Sequence, residues 1–169
     1  MTAPEETAAA RLADARFEDG AERPLRLRAE TQEDLTVISA LLQDALAETR
    51  QAAWLPKRHR FSILLSRFRW EDAGPARRQG RRFERVQALL VVDGALSARA
   101  LGIDPRDPAR VVSLLALRFE PGEDGAGTLR LILAGDGEVA FAVECLAVTL
   151  RDVTRPYLAR AAGAPAPSD

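Results

Sequence analysis

Few residues of this 169-residue chain could do chemistry on their own. Its one histidine, His59, lies between Arg58 and Arg60, and an imidazole there could act as a general base. No neighbour in the sequence offers a carboxylate to orient the ring, so the local pattern holds one member of a catalytic pair without the other. The one thiol, Cys145, would be a nucleophile only if exposed in electropositive surroundings. Val139, Phe141, Val143 and Cys145 alternate with Ala140, Ala142 and Glu144, which predicts a strand with Cys145 inside as a small buried hydrophobe. Ser62, Ser66 and Ser113 lack a nucleophile elbow. The acidic run "GEDGAG" lacks the Lys and Ser/Thr of a phosphate loop. "DPRDPAR" and "EPGEDG" offer carboxylates, but not at the spacing of a calcium loop, and Asp-Pro and Glu-Pro are turn chemistry. With one Cys and one His, an internal disulfide is excluded and multi-ligand zinc designs are disfavoured. The expectation is no catalytic residue, no cofactor and no metal site.

The remaining chemical signal is a charge asymmetry. Lys57 to Arg85 contains ten Lys or Arg against Glu71, Asp72 and Glu84, in a chain whose formal net charge is −1. A global field drawing in nucleic acid or an anionic membrane is therefore excluded, and any such attraction must be local. All but one of the 24 basic residues are Arg, the exception being Lys57, and Ala is abundant. That pairing accompanies a GC-rich coding bias, so position carries more weight than residue type. Strand alternation places Leu64, Ser66, Phe68 and Trp70 on one face and Ile63, Leu65, Arg67 and Arg69 on the other. The aromatics are expected to fill the core while Arg67 and Arg69 reach solvent, unlike an RNA-reading sheet that exposes both together. The loop "PARRQGRR" leaves Arg77, Arg78, Arg81 and Arg82 as the candidate anion-binding residues.

These residues must be positioned by one domain. A composition of 47% apolar and 29% charged residues is that of a folded soluble protein, and the length suits a single core. Residues 1–21, acidic and poor in apolar side chains, are expected to be a disordered tail, residues 22–160 the globular domain, and residues 161–169 a second disordered tail. The start lacks the basic and apolar regions of a secretory signal, which points to the cytoplasm, with no membrane partner. "LRLRA" alternates as a short strand, and Thr31 with Asp34 caps a following amphipathic helix through Leu35, Ile38, Leu41, Leu42, Ala45 and Leu46, ending near Thr49. Branched and aromatic runs then predict antiparallel strands. A hairpin is expected at Asp93-Gly94, and a meander is joined by "PGEDGAG" and "GDG". Leu146, Leu150, Val153 and Tyr157 recur at helical spacing and predict a closing helix to about Thr154, before Pro156. The fold class is α+β: a mostly antiparallel rolled sheet or split barrel of about seven to eight strands, one helix after the first strand and one C-terminal helix.

"AWLPKRHRFSILLSRFRWE", "LLALRFEPGEDGAGTLRLILAGDGEV" and "VECLAVTLRDVTRP" resemble a family of small alphaproteobacterial proteins known as a domain of unknown function. The resemblance runs from Leu25 to Tyr157. The element order is also similar to pleckstrin-homology-like rolls, which a C-terminal helix caps. The resemblance implies a fold and brings no catalytic or binding residues. The function expected is a non-catalytic cytoplasmic interaction module of unknown partner, for which a strand edge or a groove could accept a protein or peptide. The alternative is an RNA or phosphate binder through residues 57–85, and the third reading is a small-molecule enzyme with a pocket assembled from distant residues. No pattern in the sequence sets the oligomeric state.

Overall fold

Thr31 begins the helix as expected. Its side chain accepts from the Asp34 backbone N–H at 3.2 Å, and the Asp34 carboxylate accepts from the Thr31 N–H at 3.3 Å, a reciprocal capping box. The computed structural model describes residues 23–158, so the expectations for residues 1–21 and 161–169 lie outside the described residues. Helix α1 (Gln32–Leu41) buries Leu35 and Ile38 and stops well before Thr49. Asp44, at φ 63°, turns the chain, and its N–H donates to the Leu114 carbonyl at 2.8 Å. The rest of the predicted helix is strand β2 (Ala45–Glu48), with Ala45 and Ala47 buried. Ala-Leu-Ala-Glu satisfies either period, and pairing across the sheet chooses between them.

The strands around it are β1 (Arg26–Ala29), β3 (Ala52–Leu55), β4 (Arg60–Phe68), β5 (Glu84–Asp93), β6 (Ala95–Leu101), β7 (Val111–Pro121), β8 (Gly127–Leu133), β9 (Glu138–Val143), β10 (Val148–Asp152) and β11 (Tyr157–Leu158). A short helix α2 (Ala73–Arg78) leads into the basic loop. The order across the sheet is β1-β10-β5-β4-β2-β7-β8-β9-β6, with β11 added to β5 and β3 to β4. Every pair is antiparallel. The sheet is open and has eleven strands rather than seven or eight, because β1 and β6 end the order and no pairing joins them.

The predicted C-terminal helix is instead β10, paired between β1 and β5. A spacing of four, as between Leu146 and Leu150, is also two strand periods, and β-branched Val148, Thr149 and Val153 favour the strand. The capping helix expected from a pleckstrin-homology-like plan is thus replaced by sheet. The meander holds: β7, β8 and β9 pair in succession through the "PGEDGAG" and "GDG" turns. Asp93-Gly94 makes no hairpin, since β5 pairs with β4 and β10 while β6 pairs with β9. Gly94, at φ 70°, instead turns the chain sharply from one part of the sheet to another.

One core cluster gathers the buried side chains of helix and strands. Leu35 and Ile38 of α1 meet Phe61, Ile63, Leu65, Leu90, Leu129, Phe141 and Leu150 from the strands. The predicted phase of β4 is reversed: Phe61, Ile63, Leu65 and Arg67 point inward, and Arg67 is fully buried. Phe68 is also buried, as the strand bends into the turn Trp70–Asp72. Cys145 is exposed, because β9 ends at Val143 and the alternation does not extend to it.

Candidate functional site

The start of β6 touches the lead into β4 at one point. The Ala95 N–H, at the start of β6, donates to the His59 carbonyl at 2.9 Å, just before β4. Beyond that contact β6 and β3 have no pairing with each other, and an apolar cavity of about 370 Å³ opens beside them. Trp54, Phe61 and Ile63 line it from β3 and β4, Leu131, Leu133 and Val139 from β8 and β9, and Ala98 and Ala100 from β6. The space exists because β6 contributes alanines where its neighbours contribute large side chains. Phe141, fully buried beneath, stacks at tilted angles on Phe61 at 4.7 Å and Trp54 at 6.4 Å between ring centroids, which holds the aromatic wall in place.

The far rim is the "DPRDPAR" loop, whose Pro105 joins Ile103 in the lining. Its carboxylates serve turns: Asp104 accepts from the Arg106 N–H at 2.9 Å and Asp107 from the Ala109 N–H at 3.2 Å. The loop is tied to the β2–β3 corner by the Thr49 N–H on the Arg110 carbonyl and the Arg50 N–H on the Pro108 carbonyl, at 2.9 and 3.0 Å. The Thr49 hydroxyl also donates to the Asp107 carbonyl. Thr49 and Arg99 are the polar residues of the lining. A cavity of this size is within the range of ligand sites, and its wall suits an apolar group with a few polar contacts at the rim.

The residues singled out from the sequence do not converge there. His59 comes within 3.9 Å of Glu144, a carboxylate from across the fold that the local sequence could not reveal, and both side chains are about half exposed. That separation is too long for a hydrogen bond. Ser66 shares a hydrogen bond of 2.7 Å with the Tyr157 hydroxyl and accepts from Arg85 at 2.9 Å. Among the candidate anion-binding residues, Arg81 reaches Asp72 at 3.2 Å and Arg77 lies 5.7 Å from the Phe83 ring centroid. Arg78 and Arg82 are exposed, without a carboxylate partner among the described residues.

Much of the remaining positive charge of residues 57–85 is bound internally. Arg67 uses every N–H of its guanidinium: Nε and Nη2 donate to Asp152 at 3.0 and 2.9 Å, Nη1 and Nη2 to Glu71 at 2.9 and 2.8 Å, and Nη1 also to the Phe68 carbonyl at 3.0 Å. Asp152 in turn accepts from the Leu25 N–H at 2.9 Å, so one side chain joins β4, the following turn, β10 and the lead into β1. Arg69 pairs with Glu84, and Arg85 lies 4.0 Å from the Phe68 ring centroid.

Burial alone would raise the Glu71 carboxyl, but the Arg67 hydrogen bonds and the charges of Arg67 and Arg69 hold it below the usual carboxylate range. A depressed folded value contributes stability above the unfolded carboxylate pKa of about 4.3 and loses it as pH falls through the folded value. Acid should therefore destabilise the domain partly through Glu71. Urea midpoints at about pH 7 and about pH 3 should differ less for Glu71→Gln than for the parent chain.

The family model described as "Protein of unknown function (DUF2948)" matches residues 25–166. The chain belongs to the DUF2948 family. No curated protein and no solved structure matches it. Among the described residues of this DUF2948 protein, no helix is long and apolar enough to cross a membrane. The cavity was invisible to local reading because its walls come from β3, β4, β6, β8 and β9, with only Ala98 and Ala100 as a faint signal of missing volume.

Proposed function

We propose that this DUF2948 protein is a non-catalytic binding module that takes an extended segment of a partner protein along the free edge of β6, with one apolar side chain seated in the adjoining cavity. The observation that carries it is the juxtaposition itself: an apolar cavity opens beside a strand whose second edge is unpaired among the described residues. Strand addition supplies main-chain hydrogen bonds, and a pocket for alternate side chains supplies selectivity. The edge is also lightly guarded. Exposed edges are usually blunted with charge or proline, whereas β6 presents Leu96 at 51% and Leu101 at 39% exposure, with Arg99 as its one charge. Arg99 at the cavity favours a segment with an acidic residue beside its apolar anchor.

A random peptide library panned against the protein tests this. Enriched peptides should carry a large apolar residue and bind Ala100→Trp, which fills the cavity, at least about tenfold more weakly, the loss of roughly 1.4 kcal/mol of side-chain burial. Equal binding to both proteins would count against the reading.

A second reading, RNA or phosphate binding through Arg77, Arg78, Arg81 and Arg82, rests on the exposure of Arg78 and Arg82. Its mark would be affinity that falls steeply with salt, on a slope flattened by replacing those arginines.

A further inference from the structure

The face of the sheet turned away from the core carries, at its β1 end, a charge arrangement that packing does not require. Register sets it. Arg26 of β1 lies directly opposite Arg151 of β10, and Arg28 opposite Thr149. Arg151 and Thr149 in turn lie opposite Leu89 and Val91 of β5. Alternation sends Ala29, Val148 and Leu150 into the core and leaves Arg26, Arg28 and Arg151 exposed on the other face.

Like charges directly opposite one another destabilise a sheet. Neither Arg26 nor Arg151 has an ion pair or hydrogen bond from its side chain among the described residues. The nearby carboxylates are taken: Glu30 pairs with Arg28 at 2.6 Å and Asp93 with Arg60 at 2.7 Å. Guarding a sheet edge would account for Arg26, since β1 ends the strand order, but not for Arg151, since β10 is paired on both sides. Arg26, Arg28, Arg60 and Arg151 line one shallow depression of about 460 Å³, together with Thr149, Leu89 and Val91.

We propose that this depression is a binding site for a phosphate group, held between Arg26 and Arg151. Among the described residues, four arginines against Glu30 and Asp93 leave two positive charges uncompensated, which matches a phosphate monoester dianion. A carboxylate would neutralise half of that charge. Paired guanidinium forks also suit the several oxygens of a tetrahedral oxyanion. The site uses none of Arg77, Arg78, Arg81 and Arg82 and does not depend on the cavity beside β6. Leu89 and Val91 offer an apolar surface for the organic part of an ester.

Titration with inorganic phosphate at constant ionic strength, followed by NMR of the arginine Nε–H groups, tests the site, with acetate as the comparison anion. Saturable shifts are expected at Arg26 and Arg151 with phosphate and much smaller ones with acetate. Adenosine monophosphate binding more tightly than phosphate would assign the site to esters, and equal binding would assign it to the free ion. Arg151→Gln should weaken phosphate binding about tenfold, one charge-assisted contact, and raise the thermal midpoint by relieving the repulsion. Arg78→Gln with Arg82→Gln should change neither. Absence of saturable shifts, equal response to acetate, or a lowered midpoint in Arg151→Gln would each overturn the proposal.

Discussion

Replacing Arg67 with methionine should lower the stability of the domain by about 3–5 kcal/mol, the cost of removing one partner from a buried ion network. The side chain is fully buried and spends all its N–H groups on Asp152, Glu71 and the Phe68 carbonyl. Methionine has comparable length and no donor. It would strand the Asp152 carboxylate, whose side chain is 5% exposed, without its cation. The stability of a domain is about 5–15 kcal/mol, so the loss should be plain in a urea transition. Adding Glu71→Gln and Asp152→Asn should recover part of it, because no buried charge is then left unpaired. A cost below about 1 kcal/mol for Arg67→Met would mean that the network is dispensable.

Phe141→Ala should be nearly as damaging, at about 3–5 kcal/mol for a buried aromatic truncated to a methyl group. Phe141 is fully buried and supports Phe61 and Trp54, so its loss empties the space directly beneath the cavity wall. In a chain of this size the thermal midpoint should fall by roughly 6–20 °C. The effect should reach the site as well: peptides selected on the parent protein should bind the variant more weakly, because Trp54 loses its support. A midpoint within about 3 °C of the parent would show that the region collapses around the vacancy instead.

Sequence signals suffice where the physics is local. The Thr31–Asp34 capping box and the β7–β8–β9 meander depend on residues a few positions apart, and both are present. Where a pattern fitted two periods, pairing across the sheet decided. Ala45–Glu48 and Val148–Asp152 became strands because β7 in one case and β1 and β5 in the other offered partners. Arg67 shows the limit most clearly. Alternation separates two faces but does not say which is inside, and assuming that charge points outward chose the wrong one. The carboxylate that makes its burial tolerable, Asp152, is 85 residues away. The cavity and the Arg26–Arg151 juxtaposition are likewise products of register, which one strand alone does not encode.

Amide hydrogen exchange across Ala95–Leu101, with and without a peptide selected from the library, bears most directly on the proposed function. If an extended segment adds to β6, alternate amides of that strand should slow on binding, as new main-chain hydrogen bonds form at every second residue. The same peptide should give no such protection in Ala100→Trp. Unchanged exchange in β6, or protection confined to residues 77–82, would contradict strand addition.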